Sequence, residues 1–267
     1  MDAEATARIV LKAIDGGQIE PFTTQDTGFS EADAYAVTAK LRELRIERGE
    51  KPVGRKIGFT NRNIWAEYGV YQPIWGDMYD TTVRDVALGA WVEVSQLPEP
   101  RIEPEIVLGL GGDLSPDMGF AEIAQAVSWV AHGFEFVQSI FPAWRFQVAD
   151  CIADGGLHGR LFIGPRRKLS DKERGTLTSD LARLKIRLNK NGDLADTGSG
   201  TNVLDGPIQA LAHLVAVLGK DKLNPPLRAG EIVTTGTLTR AFPVLSGERW
   251  STEISGYGLP GLSVEIA

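Results

Sequence analysis

Residues 184–192, with the sequence Leu-Lys-Ile-Arg-Leu-Asn-Lys-Asn-Gly, give the clearest indication of the fold. Apolar and polar residues alternate up to Asn189, which is typical of a strand with one buried face. Asn191-Gly192 is the residue pair that two-residue hairpin turns favour. From residue 90 onward the sequence contains further short strand-like segments, many of them bounded by Gly, Pro or Asn. The predicted strands are 91–95, 103–110, 134–138, 160–163, 184–189, 231–235, 249–254 and 262–266.

The first fifty residues favour helices instead. Residues 4–14 are rich in Ala and are followed by Gly16-Gly17, while Ser30 precedes an acidic turn, as the residue before a helix commonly does. The segments that follow predict a strand over 53–59, a short helix over 61–69 and an ordered loop over 71–80.

Two helices are predicted among the later strands. The first carries Phe120, Ile123, Val127 and Val130 at approximately helical spacing, and the second opens at Asp205-Gly-Pro207. Strands and helices do not alternate regularly, and neither a GxGxxG motif nor a phosphate-binding loop is present, which disfavours a dinucleotide fold. We therefore predict an α+β fold: a large, rolled, mostly antiparallel β core with a helical N-terminal region. The expected division is a helical region over residues 1–70 and a β-roll domain over residues 71–267.

Composition narrows the class of protein. The chain has 267 residues and a net charge of −7, with no basic block, which argues against nucleic acid as a partner. Its single cysteine, Cys151, excludes an internal disulfide framework and a cysteine-rich metal site. No apolar run approaches the roughly 18 residues of a membrane span, and the acidic N-terminus is unlike a signal peptide. These features predict a cytoplasmic protein with no membrane partner.

The sharpest chemical feature is Arg101-Ile-Glu-Pro-Glu-Ile106. Residues two apart in a strand share one face, so Glu103 and Glu105 are expected side by side. Glu135 lies between two phenylalanines in a predicted core strand, where a carboxylate is costly without a partner. Three inward carboxylates without cysteine suit a hard cation such as Mg²⁺ or Mn²⁺. The alternative is a solvated strand face, on which such glutamate pairs are common.

Lys56 lies in Gly54-Arg-Lys-Ile-Gly-Phe59, a predicted strand flanked by glycines. Because glycine leaves room close to the backbone, the lysine is a candidate acid/base group or a cation for a substrate carboxylate. The alternative is an exposed surface lysine.

Among the histidines, His158 is the strongest candidate, since it follows the glycine-dense turn Ala153-Asp-Gly-Gly-Leu157. Asp154 is close enough in sequence to orient its imidazole. His132 is expected to cap or pack, and His213 to be exposed on a helix. Three histidines in all do not favour a multi-histidine zinc site. No serine lies in a nucleophile elbow, which disfavours a serine hydrolase.

Together these segments resemble the 2-keto-4-pentenoate hydratase and 4-oxalocrotonate decarboxylase group of the fumarylacetoacetate hydrolase superfamily, and the resemblance runs along nearly the whole chain. The stretches that carry the resemblance are Asp33-Ala-Tyr-Ala-Val37, Gly54-Arg-Lys-Ile-Gly-Phe-Thr60, Gly69-Val-Tyr-Gln-Pro73, Arg101–Leu110, Ile152-Ala-Asp154 and Gly230-Glu-Ile-Val-Thr-Thr-Gly236. Gly247 and the closing segment Gly258–Ile266 also fit the pattern of this group.

The resemblance implies Mg²⁺ or Mn²⁺ on Glu103, Glu105 and Glu135, with Lys56 catalytic. It also implies a short 2-oxo acid substrate from aromatic degradation, and we assign Asp154 and Thr237 to substrate binding. In this group the 1-carboxylate and the 2-oxygen of the substrate chelate the metal, which then stabilises an enolate. A hydratase then adds water, whereas a decarboxylase loses CO₂.

The chain departs from the group's pattern near this site. Ile74 replaces a usual Asp, which is nearer to the decarboxylases. Gly155 replaces an Asn, Leu157 replaces a small polar residue, and Ile140 replaces an Arg. His158 is therefore expected to act as a replacement acid/base that activates water.

Four functions remain open from the sequence. A hydratase is the leading hypothesis, followed by a decarboxylase of a 2-oxo-dioate and a hydrolase that cleaves a C–C bond of an acylpyruvate. A non-catalytic partner of another enzyme is disfavoured because Lys56 and all three carboxylates are retained. The protein is expected to form a homo-oligomer and to be capable of association with an enzyme of the same pathway.

Overall fold

The computed structural model describes residues 1–267. Its helices gather in two places, one at the N-terminus and one beside the sheets. The helices are α1 (Ala3–Ile14), α2 (Phe22–Gln25), α3 (Glu31–Glu47), α4 (Trp65–Tyr68), α5 (Phe120–Gln125), α6 (Val148–Ala153), α7 (Asp171–Arg183) and α8 (Pro207–Leu218). None of these helices has the length and apolar character that crossing a membrane requires.

The strands form two sheets. They are β1 (Pro52–Gly58), β2 (Ile74–Tyr79), β3 (Val83–Asp85), β4 (Ala90–Val92), β5 (Arg101–Leu110), β6 (Val127–Val137), β7 (His158–Ile163), β8 (Arg167–Lys168), β9 (Lys185–Lys190), β10 (Asp193–Ser199), β11 (Ile232–Thr237), β12 (Phe242–Pro243), β13 (Arg249–Ser255) and β14 (Ser263–Ile266).

The larger sheet has nine strands in the order β2-β1-β11-β5-β6-β7-β3, with β12 beside β5 and β8 beside β6. The smaller sheet has five strands in the order β10-β9-β13-β14-β4. Only β1–β11, β3–β7 and β4–β14 pair in parallel. The mostly antiparallel α+β fold predicted from the sequence is confirmed.

Apolar side chains bury both faces of the curled larger sheet. Phe134 and Phe136 of β6 pack with Trp250 of β13 in the layer between the two sheets. Helices α5, α7 and α8 contribute to a second cluster with β5 and β9, and α1–α3 cluster with α6 and Ile74 of β2. Strand β1 precedes residue 70 yet belongs to the larger sheet, so the sheet draws on both regions predicted from the sequence.

Two local predictions are confirmed in detail. Asn191 and Gly192 have φ values of 52° and 94°, as a tight hairpin turn requires, and β9 pairs with β10 across them. Ser30 caps α3: its hydroxyl accepts the Asp33 N–H, and the Asp33 carboxylate accepts the Ser30 N–H.

Other local predictions are wrong. The segment 71–80 is not a loop throughout, because Ile74–Tyr79 is a fully buried strand whose apolar and aromatic residues lack alternation. The helix that begins at Phe120 ends at Gln125, and Val127 and Val130 belong to β6. Helix α7 was not predicted, because it buries only Leu177 and Leu181 and shows little apolar periodicity.

Strand β2 and the turn after α6 approach each other at their backbones. A Cβ atom built on Gly76 would lie 1.8 Å from the carbonyl oxygen of Gly155. The atom that such a Cβ would meet belongs to the backbone of Gly155, which cannot move aside as a flexible side chain can. Gly76 therefore fixes the distance between β2 and residues 154–158, which supply part of the site described below.

We expect Gly76→Ala to lower the free energy of unfolding by roughly 1–3 kcal/mol, the usual cost of an overpacked interior. The matched control is Gly175→Ala in α7, where an added Cβ meets nothing within 4 Å. That variant should gain roughly 0.5–1 kcal/mol, because alanine is the better helix former. Denaturant unfolding measures both, and an unchanged stability in Gly76→Ala would contradict the close approach.

Candidate active site

The antiparallel ladder between β5 and β6 gathers the three predicted carboxylates. Glu103 pairs directly with Glu135, and Glu105 lies two residues along the same face of β5. One oxygen from each of the three lies within 4.8 Å of the others. Glu105 and Glu135 are fully buried, so the alternative of a solvated strand face is wrong for this cluster.

The hydrogen bonds of these carboxylates leave two oxygens free. Glu105 Oε2 accepts the backbone N–H of Gly236 at 2.8 Å, and Glu135 Oε1 lies 2.8 Å from His158. Glu105 Oε1 and Glu135 Oε2 are buried without a hydrogen-bond partner. Buried oxygens of this kind need compensation. Oxygen ligands of three carboxylates, with no sulfur or nitrogen donor among them, fit a hard divalent cation.

The electrostatics of the cluster agree with that fit. Burial and the neighbouring carboxylates raise the pKa of Glu105 well above its ordinary value. Burial also raises the pKa of Glu103, to about 7. Burial opposes ionisation of Glu135 as well, but the charge of Lys56 and the hydrogen bond from His158 hold the pKa of Glu135 below its ordinary value. The cluster is therefore short of positive charge.

Lys56 reaches this cluster from β1. Its Nζ donates to the carbonyl oxygen of Gly156 at 2.8 Å and lies 3.4 Å from Glu135 Oε2. The side chain is buried, so the alternative of a surface lysine is wrong. Burial disfavours the charged amine, but the attraction of Glu135, Glu103 and Glu105 raises the pKa of Lys56 above its ordinary value. Lys56 is therefore a cation held against three acids.

His158 lies behind Glu135. Its Nδ1 is 2.8 Å from Glu135 Oε1 and its Nε2 is 2.9 Å from Thr82 Oγ1. Burial lowers the pKa of His158, which favours the neutral ring. A carboxylate only accepts, so a ring proton lies on Nδ1, while Nε2 lies against the Thr82 hydroxyl, which itself donates to the Tyr79 carbonyl at 3.0 Å. Both nitrogens are thus engaged, and neither faces the pocket as the proposed water base would require.

The predicted contact between Asp154 and His158 is wrong. Asp154 Oδ1 accepts the backbone N–H of Leu157 at 2.7 Å, which holds the turn in shape. Burial raises the pKa of Asp154 to about 8, and the carboxyl group does not line the pocket. His132 packs as expected, between the Glu105 carbonyl and Thr252.

A pocket opens beside Lys56 and Glu103. Its polar part also includes Thr237, whose hydroxyl donates to the Thr239 carbonyl at 3.0 Å. The rest of the lining is apolar or aromatic: Phe59, Ile64, Tyr68, Val137, Trp144 and Leu157, with glycines at 58, 156 and 236. The structure therefore brings Thr237 to the pocket together with Lys56 and Glu103 of the carboxylate cluster.

Sequence reasoning missed Thr82, Tyr68 and Trp144. Thr82 follows a segment that was assigned to a loop, and nothing in its neighbourhood indicates an imidazole partner. Tyr68 and Trp144 lie in short irregular segments without periodicity. The cluster of aromatic residues in 141–146 was the one signal in the sequence for the aromatic part of the pocket lining.

The sequence matches a known family model and several known enzymes. Residues 81–262 match the family model described as fumarylacetoacetate (FAA) hydrolase C-terminal. The 2-hydroxyhexa-2,4-dienoate hydratase of Comamonas testosteroni is 30% identical over 241 residues, covering 90% of this chain and 88% of that protein. The 2-keto-4-pentenoate hydratase 1 of Dechloromonas aromatica is 31% identical over 262 residues, covering 97% and 95%.

A solved structure agrees over nearly the whole length. The 4-oxalocrotonate decarboxylase from Pseudomonas putida G7, complexed with magnesium and adipate, superposes with a TM-score of 0.88 at 28% identity. The match covers 99% of this chain and 97% of that one. The chain is therefore an enzyme of the fumarylacetoacetate hydrolase family, in the group of the 2-keto-4-pentenoate hydratases and 4-oxalocrotonate decarboxylases.

Proposed function

We propose that the protein is a divalent-metal-dependent hydratase that adds water to a short 2-oxo-alkenoate or its 2-hydroxydienoate tautomer. The observation that carries the proposal is the cluster of three carboxylates, in which two buried oxygens lack a hydrogen bond, next to a buried lysine. Relatives named hydratases match this chain over 90% or more of its length.

Glu103, Glu105 and Glu135 would hold the metal. If all three carboxylates are ionised, Lys56 offsets one of their three negative charges. A divalent cation such as Mg²⁺ or Mn²⁺ would neutralise the two that remain. Such compensation is what makes a buried cluster of like charges tolerable. A bound divalent ion would act as a Lewis acid that stabilises the negative charge developing on the 2-oxygen during tautomerisation.

Lys56 is the group positioned to move a proton. Its Nζ is held at the Gly156 carbonyl and lines the pocket, so it can exchange a proton with a substrate carbon there. Lys56 gives up that proton more readily once a divalent cation shares the same carboxylates, since their pull on the ammonium is then weaker. Thr237 and the backbone near Gly156 and Gly236 are placed to orient the substrate's polar end.

His158 is a positioning residue in this proposal. Its Nδ1–H fixes one oxygen of Glu135 and leaves the other, which faces Lys56, without a hydrogen bond, as outer residues commonly do for carboxylate ligands. Because both ring nitrogens are occupied, His158 is not the water base that the sequence suggested. The same occupancy disfavours C–C hydrolysis, which needs such a base.

Decarboxylation is the second candidate function. Ile74, the residue that departs from the hydratase pattern, is buried opposite Gly58 in the β1–β2 ladder, next to Lys56. An apolar side chain there offers no hydrogen bond to an incoming water. The predicted homo-oligomer and the association with a pathway enzyme stay predictions, and analytical ultracentrifugation measures the first.

Product analysis separates these reactions and tests Lys56. With Mg²⁺ and a panel of 2-hydroxydienoates and acylpyruvates, we expect addition of water rather than loss of CO₂ or cleavage. Lys56→Met keeps the length of the side chain but not its charge, and should lower the rate on the order of 10²-fold or more. Lys51→Met, at an exposed position beside β1, is the control. Loss of CO₂ from a 2-oxo-dioate instead would establish the second candidate.

Glu105→Gln tests the metal site. Loss of one of three ligand charges should weaken Mg²⁺ or Mn²⁺ binding by about 3–5 kcal/mol, the usual result of removing one partner of a buried charge pair. The metal-free variant should be at least as stable as the wild type, since one repulsion is relieved. Calorimetry measures the affinity, and Glu265→Gln in the other sheet is the control. Equal metal affinity in both variants would refute the ligand assignment.

His158→Ala tests the positioning role. The metal affinity should fall roughly 10–100-fold, because Glu135 loses the donor that orients it. Thr82→Val, which removes only the hydroxyl, should shift the affinity in the same direction by less. His213→Ala, at a half-buried position of α8, should change nothing. A large fall in kcat with unchanged metal affinity would instead support the water base inferred from the sequence.

A further inference from the structure

A second cavity, separate from the pocket beside Lys56, reaches Thr82 from the other side. It has a volume of about 360 Å³. Three arginines and two carboxylates belong to its lining: Arg45, Arg48, Arg160, Asp15 and Glu50. The lining therefore carries one more positive charge than negative charges.

The two carboxylates are already paired with two of the arginines. Arg45 Nε and Nη2 donate to Glu50 Oε2 at 3.1 and 2.6 Å. Arg48 Nε donates to Glu50 Oε1 at 2.6 Å, and its Nη1 donates to Asp15 Oδ2 at 2.7 Å. These two cations and two anions balance one another, so the excess positive charge resides on Arg160.

Arg160 is a half-buried cation that forms no ion pair. Its one hydrogen bond runs from Nη1 to the carbonyl of the neighbouring Gly159, at 3.0 Å. Burial and the positive charges of Arg84 and Arg45 lower the pKa of Arg160, and the charge of Glu50 opposes them only in part. The guanidinium of Arg160 therefore lacks a counterion.

Arg45 supplies a second unused donor to the same cavity. Its side chain is only 5% exposed, and its guanidinium lies over the Tyr79 ring, 3.9 Å from the centroid. Nε and Nη2 are bonded to Glu50, whereas Nη1 makes no hydrogen bond. Packing and the ion pair thus fix this guanidinium in place and leave one nitrogen for an oxygen acceptor.

Thr82 connects the cavity to the carboxylate cluster. Its carbonyl accepts the Leu161 N–H at 2.8 Å, next to Arg160 along β7. Its hydroxyl lies 2.9 Å from His158 Nε2, and His158 Nδ1 lies 2.8 Å from Glu135. Two hydrogen bonds therefore separate the lining of this cavity from a proposed metal ligand.

We propose that this cavity is a second binding site, for a small oxyanion with carboxylate or phosphate chemistry, held by Arg160 and Arg45. The oxygens of the anion accept hydrogen bonds from the unused N–H groups and supply the missing negative charge. Glu50 and Asp15 are neutralised by their own partners, so they do not repel it strongly. The anion is coupled to the metal site through Thr82, and this coupling, unlike the anion site itself, rests on the metal chemistry proposed above.

Anion titrations of the full-length protein test the site. The probes are sulfate and succinate, titrated by calorimetry in EDTA so that no metal competes for them. We expect saturable binding of at least one, and the tighter of the two identifies the tetrahedral or the carboxylate class. Arg160→Met should weaken that binding on the order of 10-fold or more, because hydrogen bonds to a charged group are lost. Arg249→Met, at an exposed arginine of β13 that also forms no ion pair, is the matched control.

The stability of Arg160→Met provides a second readout. The substitution leaves no carboxylate without a partner and removes a repelled cation, so without sulfate the variant should be at least as stable as the wild type. Sulfate should raise the Tm of the wild type more than that of the variant. Equal anion binding by both proteins, or an effect that NaCl reproduces at the same ionic strength, would overturn the site. An acidic side chain of a second copy filling the cavity in a crystal would also overturn it.

Mg²⁺ titrations with and without saturating sulfate test the coupling. Sulfate should strengthen Mg²⁺ binding roughly fivefold, since opposite charges attract through the protein interior, and Mg²⁺ should strengthen sulfate binding by the same factor. Arg160→Met meets the same sulfate in solution and should show no gain. Sulfate binding that leaves the Mg²⁺ affinity unchanged overturns the coupling. Absence of any Mg²⁺ binding overturns the proposed function instead, while the sulfate titration of Arg160→Met still decides the anion site.

Discussion

Three carboxylates within 4.8 Å of one another repel strongly once they leave water, so the core of this protein depends on how that repulsion is offset. Lys56 supplies one positive charge from β1, and its own burial is tolerable only because the acids surround it. The amine and the carboxylates therefore stabilise each other's ionised forms. Removing either side leaves a buried charge without a partner, which is the costly case.

Sheet register is what brings these groups together. Glu103 pairs with Glu135 across β5 and β6, and the neighbouring strand β11 supplies the Gly236 N–H to Glu105. On the other side of β11, β1 runs parallel and carries Lys56. A slip of one residue in any of these pairings would turn a charged side chain to the opposite face of the sheet. The hydrophobic clusters on both faces of the sheet hold this register. The register that buries the apolar side chains is therefore the one that brings the charged groups together.

This dependence on register explains what sequence could and could not predict. Glu103 and Glu105 were predictable as neighbours because strand geometry alone places them on one face. The distances to Lys56 and Glu135 were not predictable from spacing, because they depend on which strands pair, and that required the family resemblance. Thr82 illustrates the limit: its contact with His158 spans 76 residues and leaves no local pattern. Strand β2 was misassigned because burial on both faces removes the alternation that indicates a strand.

The turn before β7, residues 154–157, contributes to the site mainly through its backbone. Gly155 and Gly156 have φ values of 85° and 79°, which direct the Gly155 carbonyl to Gly76 and the Gly156 carbonyl to Lys56. Lys56 thus has a backbone acceptor, the Gly156 carbonyl, rather than a side chain of this turn. Leu157 then lines the pocket with an apolar surface, and His158 turns behind Glu135 to hold it. In this turn the backbone therefore supplies the polar contact to Lys56, and the side chain of Leu157 adds an apolar surface to the pocket.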